Sequence, residues 1–322
     1  DSYKELSAKS VWKSVGKMST GKKAVTIATV VYEAKRCGWK QKAAHAARRT
    51  AEESAALEAA RQQRREEAAR AEAEAYAAAA AKARQIWDAA RPCDGHPYLT
   101  RKGISGTGLR IAAQWIREGV NGDTGEVFSR TYHDALLVPI WSAPGRLSSL
   151  QAIFPSKVIG RAPAPGQPDE RRDKDYLTDG RKQGCYAPLG KITPETPVIL
   201  ICEGYATGAT LHDVTRLPVM VAFDAGNLED VAQMLRDKLP GTKLVVCADN
   251  DQFTVNKRTG KPWNPGLEAA MAAVNAVGGV LAMPQFASLD GKPTDWNDLA
   301  QREGAVVVAA SMDAILNPKE EP

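Results

Sequence analysis

The chain has 322 residues, 43% of them hydrophobic and 25% charged, ordinary values for a globular protein with enough apolar content for two domains. No apolar run approaches the roughly 20 residues of a membrane span, and the polar opening DSYKELSAKS carries no signal-peptide core. No membrane partner is therefore expected, and a cytoplasmic location is. The net charge of +5 is uneven: residues 1–92 hold 19 Lys and Arg against 11 Asp and Glu, and the rest hold 24 against 27, so an arm of +8 joins a body of −3. Such an arm is expected to meet a polyanion.

The sequence opens on Asp1 rather than Met, so a fragment or a processed product is expected. Residues 1–40 read as short helices around a turn at Gly21. The stretch GKMSTGKK at 16–23 resembles a phosphate-binding loop but ends on Lys23 where a hydroxyl is required, and no apolar strand precedes it. From Lys42 to Arg91 the chain is almost all Ala, Glu, Arg, Lys and Gln without Gly or Pro, which predicts a helix of about 75 Å. Its large apolar residues (Leu57, Tyr76, Ile86, Trp87) sustain no heptads, so a solvated or nucleic-acid-contacting arm is expected rather than a coiled coil.

Pro92 ends that helix. Residues 93–190 then show strand-like runs, ALLVPIW and RLSSLQAIF, between Gly/Pro turns, with an irregular basic stretch at 155–183, and predict a small mixed α/β unit. From Pro197 strands and helices alternate: PVILIC, ATGATLHDVTR, LPVMVAF, LEDVAQMLRDKL, KLVVCA, PGLEAAMAAVNAVG, GVLAMP. This pattern predicts an α/β fold with a parallel sheet covered on both faces, and in such sheets ligands bind at the carboxyl ends of the strands. The expected division is 1–91 as a basic helical arm, 92–190 as the mixed unit, 191–300 as the parallel-sheet domain, and 301–322 as a terminal helix and tail.

Two of the strands end in carboxylates. PVILIC leads to Glu203, and KLVVCA leads to Asp249-Asn250-Asp251, where alternation puts the two aspartates on one side and Asn250 on the other. Carboxylates gathered on one strand edge repel, and a hard divalent cation relieves the repulsion; Mg²⁺, or Mn²⁺, suits an open edge where it keeps several waters. Asp295 and Asp298, in TDWNDL, are expected to join the same edge. The five cysteines (Cys37, Cys93, Cys185, Cys202, Cys247) form no C-x-x-C pair, so neither zinc nor a disulfide framework is expected, and Cys202 and Cys247 read as small buried hydrophobes. The four histidines are dispersed, and His96 reads as a structural turn residue.

A strand ending in Glu-Gly, followed some 45 residues later by a strand ending in D-x-D, resembles the Toprim fold of primases, topoisomerases and related nucleases. The string EGYATGAT at 203–210 is similar to a narrower group, the DNA primases of conjugative plasmids and the alpha-type primases of satellite phages. The segments HPYLTRKGI (96–104), LLVPI (136–140), GRKQGCY (180–186), VAFDAGNL (221–228), DND (249–251) and DWNDL (295–299) follow in matching order and spacing. The chain departs from that group in having no zinc-binding module, and from many Toprim primases in having Thr207 four positions after the Glu. No helicase domain is evident.

The resemblance implies a nucleotidyltransferase that makes short primers on single-stranded DNA. Glu203, Asp249 and Asp251 would be catalytic metal ligands, with Asp295 and Asp298 as further ones. The implied partners are a single-stranded DNA template, nucleoside triphosphates and a replicative helicase. Gly204 would let phosphate approach the backbone. Arg181 and Lys182, between the glycines of GRKQGCY, then Arg101 and Lys102, and also Lys157, Arg161 and Lys174, would supply positive charge for nucleotide or DNA. A Toprim-type nuclease and a non-catalytic DNA-binding module are the alternatives.

Overall fold

The computed structural model describes residues 32, 34–38, 50–120, 125–142, 145–161, 170–256 and 259–318. The expected turn at Gly21 and the GKMSTGKK stretch lie outside them. The described residues form two compact units: one holds those up to Glu72 together with those of Ile116–Arg130, the other those of Ala73–Trp115 and from Thr131 onward. No described helix is long and apolar enough to cross a membrane.

The long helix is present as α1 (Ala51–Ala89), about 58 Å at 1.5 Å per residue. Most of it is exposed. Only near its end does a stripe at four-residue spacing, Ala79, Ala83 and Trp87, turn inward. Ala83 and Trp87 pack with Leu137, Leu150, Ala152 and Phe154 of the first sheet. The Arg110 guanidinium lies 5.0 Å over the Trp87 ring and donates to its carbonyl at 2.7 Å.

The first sheet orders its strands as they come in sequence: β1 (Arg91–Pro92), β2 (Arg110–Val120), β3 (Val127–Ser142), β4 (Arg146–Arg161) and β5 (Glu170–Tyr176). A short helix, α2 (Pro97–Lys102), lies between β1 and β2. His96 caps it, accepting at Nδ1 from the Tyr98 amide while Nε2 meets the Asp134 carbonyl at 3.0 Å. That is the structural role expected of it. Within the basic stretch expected to be irregular, residues 155–161 and 170–176 are instead strand, because β5 pairs antiparallel along β4 from Tyr176 opposite Gln151 to Glu170 opposite Arg161. Alternation in β3 sends Leu136, Val138 and Ile140 into one core and Ala135 and Leu137 into another, so the sheet is buried on both faces.

The second sheet has the order β10-β9-β7-β8-β6. Its strands are β6 (Ala187–Leu189), β7 (Val198–Cys202), β8 (Val219–Val221), β9 (Lys243–Cys247) and β10 (Val280–Ala282). The last four are parallel; β6 adds an antiparallel edge from the amino-terminal side of residue 190. Ile199 and Ile201 face α4 (Leu228–Lys238) and α5 (Pro265–Val277), whose buried residues share their core. Leu200 and Cys202 face α3 (Tyr205–Thr215), α6 (Trp296–Glu303) and α7 (Ala305–Leu316), in the core that also takes Leu136 and Ile153 of the first sheet. Cys202 and Cys247 are fully buried, as expected. A Cβ on Gly208 would lie 2.6 Å from Val221 Cγ2 and 3.1 Å from Cys202 Sγ, so the second glycine of EGYATG is required for α3 to rest on the sheet.

Candidate catalytic site at the carboxyl edge of the second sheet

Parallel register brings the strand ends together. Cys202 stands opposite both Val221 and Cys247, and Cys247 opposite Ala282. The ladder continues beyond the strands, with the Phe223 amide donating to the Glu203 carbonyl (2.8 Å), Ala248 to Ala282 (2.8 Å) and Asn250 to Thr294 (2.7 Å). Glu203, Asp224, Asp249 and Asp251 therefore leave three neighbouring strands on one edge. Asp295 reaches it from the amino terminus of α6, where it accepts from the Asp298 amide at 2.7 Å.

The carboxylates feel one another. Burial, then the charges of Asp251 and Asp224, push the Glu203 carboxyl up to about 7, with Lys174 opposing. Burial, then Glu203, Asp295 and Asp251, hold Asp249 well above the usual carboxylate range. Burial and then Asp298 raise Asp295. Asp249 Oδ1 is buried and has no hydrogen-bond donor, a costly state for an ionised oxygen. Among the described residues, no three or more His, Cys, Asp or Glu side chains form a group that could hold a metal ion.

Backbone precision comes from Asn264 at the head of α5. Its Oδ1 accepts from the Asp251 amide (2.9 Å) and the Leu267 amide (3.2 Å), and its Nδ2 donates to Asn250 Oδ1 (2.9 Å). Asn250 is thus buried against Asn264. Asp251 Oδ2 accepts from the Gly266 amide at 3.3 Å, at the positive end of the helix. A Cβ on Gly266 would meet the Asp249 carbonyl oxygen at 2.6 Å, so only glycine lets α5 approach so closely. Gly204 differs: a Cβ there would touch nothing nearer than Thr207 Oγ1 at 3.8 Å, so packing does not explain it. Thr207 itself is buried in α3.

The expected cations take distinct places. Lys174, on β5, faces the acidic edge and opposes the raised carboxyls of Glu203, Asp249 and Asp295. Lys182 Nζ sits 3.4 Å from Asp224 Oδ2 and 4.3 Å from the centroid of the Tyr176 ring. Arg181 and Lys157 are exposed. Arg101 is engaged by Asp173 (3.5 Å), the Pro155 carbonyl (3.1 Å) and the Tyr98 ring, while Lys102 pairs with Asp298 Oδ1 at 3.7 Å. The other oxygen of Asp298 accepts from the Thr294 amide.

Four residues escaped the sequence reading. Asp224 ends β8 as Glu203 ends β7, so the same rule applied to LPVMVAF would have found it. Tyr176 donates to the Phe223 carbonyl at 3.1 Å and accepts from Gln151 at 2.7 Å, and its hydroxyl is pushed up to about 12 by burial. Phe223 has φ +72°, a strained value for a bulky residue and typical of functional edges. Asn227 ties this turn to the segment 182–185.

Residues 198–306 match the Toprim domain. The chain is 32% identical over 193 residues to the DNA primase TraC of Escherichia coli, an alignment covering 59% of this chain and 11% of that protein. A second Escherichia coli DNA primase TraC is 30% identical over 194 residues, covering 59% and 15%. The chain thus spans a small part of the curated relatives it matches. Among solved structures, the DnaG primase catalytic domain bound to ssDNA aligns with TM-score 0.48 and 14% identity over 75% of this chain and 80% of that one. A DNA primase domain from Pseudomonas aeruginosa aligns with TM-score 0.45 and 17% identity over 74% and 78%.

Proposed function

We propose, starting from the Toprim domain that this chain carries, that it makes short oligonucleotide primers on single-stranded DNA by divalent-metal-dependent nucleotidyl transfer. The observation that carries this reading is the meeting of Glu203, Asp249 and Asp251 on one sheet edge, with a buried Asp249 oxygen that lacks a donor. Its similarity over 193 residues to a protein named as a DNA primase supports the same reading.

That orphaned oxygen, amid carboxyls raised by burial and then by one another, fits a divalent cation. An open sheet edge suits Mg²⁺ or Mn²⁺, since such ions keep several waters and take one or two carboxylates plus substrate phosphates. Glu203, Asp249 and Asp251 would hold it, with Asp295 beside them; Asp298 is more distant in role, since Lys102 and Thr294 engage it. The chemistry such an ion supplies when bound is acidification of the attacking 3′-hydroxyl and neutralisation of the departing pyrophosphate.

The chain's own residues do the rest. The head of α5 orients Asp251 through the Gly266 amide, and Asn264 locks the backbone between Asp249 and Asp251. Gly204 leaves room for a phosphate beside Glu203. Lys174 and Lys182 offset the negative charge of an incoming triphosphate at the edge they border, and Arg181 and Lys157 extend positive charge outward for the template. The basic arm of residues 1–91 holds DNA by counterion release, with 92–190 and 191–300 as the two halves of the catalytic body and 301–322 as its terminal helix and tail. A replicative helicase is the proposed partner and the cytoplasm the proposed location.

The test is incubation of the chain with single-stranded DNA, labelled ribonucleotides and Mg²⁺ or Mn²⁺. New labelled oligomers support the reading. Shortened DNA would indicate a nuclease built on the same carboxylates, and neither product would indicate a DNA-binding module.

A further inference from the structure

We propose that Asn227 is a positioning residue that sets the Lys182 ammonium on the carboxyl edge of the second sheet. Its side chain is 2% exposed. Oδ1 accepts from the Gly184 amide at 2.7 Å, and Nδ2 points to the carbonyls of Lys182 (3.1 Å), Cys185 (2.8 Å) and Ala222 (2.8 Å). Two N–H groups serve three carbonyls, so one hydrogen is shared. These contacts join two segments that are distant in sequence. One is the turn 182–185, closed by the Cys185 amide on the Lys182 carbonyl (2.8 Å). The other is the end of β8, which carries Asp224.

The cradle needs an acceptor and donors on one short side chain. Asp has no donors and would face three carbonyl oxygens with a charge; Ala takes this partner from the Gly184 amide and from the Cys185 and Ala222 carbonyls, and leaves the Lys182 carbonyl with the Cys185 amide alone. With the Lys182 backbone held on one side and Asp224 on the other, the ammonium is confined between Asp224 Oδ2 (3.4 Å) and the Tyr176 ring (4.3 Å). A lysine side chain otherwise carries large rotamer freedom. Asn227 acts through Lys182 and touches no reacting atom.

Two readouts test this. The first rests on the nucleotidyl-transfer reading. Asn227→Ala raises KM for the nucleoside triphosphate about tenfold with kcat within about threefold, and adds no further rise in a Lys182→Ala background. The second does not rest on it: acetylation by acetic anhydride, followed by mass spectrometry, with exposed Lys157 as internal reference. Lys182 reacts slowly in the native chain, and severalfold faster in Asn227→Ala. Should Asn227→Ala fail to fold, Asn227→Ser keeps one donor and gives intermediate values of both readouts. Absence of primer synthesis by the native chain would remove the functional reading and leave the acetylation arm decisive. A lowered melting temperature with unchanged Lys182 reactivity, or additive kinetic effects of the two substitutions, would overturn the assignment.

Discussion

The two sheets place charge in opposite ways. The second is built from strands of three to five residues that are apolar but for Lys243 at the start of β9, and its carboxylates stand only beyond the strand ends. The first contains strands of up to 16 residues, and its last, ERRDKDY, has six charged residues of seven. Parallel strands that all finish on one edge collect whatever follows them, so carboxylates accumulate there. Antiparallel strands distribute charge by alternation: Lys174 faces the acidic edge while Asp175 meets Trp115 Nε1 at 3.1 Å. The result is a focused negative edge with Lys174 opposing it, beside a strand whose own charges are mixed.

Discharging the acidic edge should have the largest effect. Asp249→Asn or Asp251→Asn should reduce primer synthesis on the order of a thousandfold, as loss of charge aimed at a transition state does, while a far-UV spectrum and DNA binding stay close to native. Near-native turnover by both would remove the edge from the mechanism.

Glu203→Gln is expected to cost less, about 10- to 100-fold, with part recovered by raising Mg²⁺ or Mn²⁺, because mass action refills a weakened site. A rate that no cation restores would make Glu203 a proton-transfer group instead.

The two glycines of EGYATG sharpen the contrast between packing and approach. Gly208→Val should destabilise the fold by about 2–3 kcal/mol in urea unfolding, since Val221 and Cys202 leave no space. Gly204→Ala should leave stability within about 0.5 kcal/mol yet lower synthesis. Equal effects on stability would mean that both glycines serve packing alone.

What could be read from the amino acids follows the same division. Strands buried on both faces are apolar without interruption, so β7 to β10 and the helices between them lie within a residue or two of where the sequence puts them, and Glu203 and the D-x-D pair stand on the expected edge. Strand β5 was hidden because its pairing partner β4, rather than its own pattern, holds seven polar-rich residues extended. Three-residue β6 was too short to register. Asp224 was legible but overlooked. Asn227 was not legible, since its four partners come together only once the turn 182–185 folds onto β8.

Acidity should tune the stability of the metal-free protein. Glu203 takes up a proton more readily in the folded chain, near 7, than at its ordinary value of 4.5. Folding therefore binds protons in that window, and stability falls as pH rises from about 4.5 to 7, then stays low. Allowing for solvent screening, the loss is about 1–2 kcal/mol, seen in urea unfolding at pH 5 and pH 8 without divalent ions. The slope should flatten in Glu203→Gln, and an unchanged slope would assign it elsewhere.

The most direct test of the central claim, that the carboxyl edge of the second sheet is built for a cation, is thermal unfolding of the native chain and Asp249→Asn at pH 8 with and without Mg²⁺. The ion should raise the melting temperature of the native chain and leave the variant unmoved, and without the ion the variant should melt higher because a buried, unpartnered charge is gone. Equal responses to Mg²⁺, or a lower melting temperature for the metal-free variant, would contradict it.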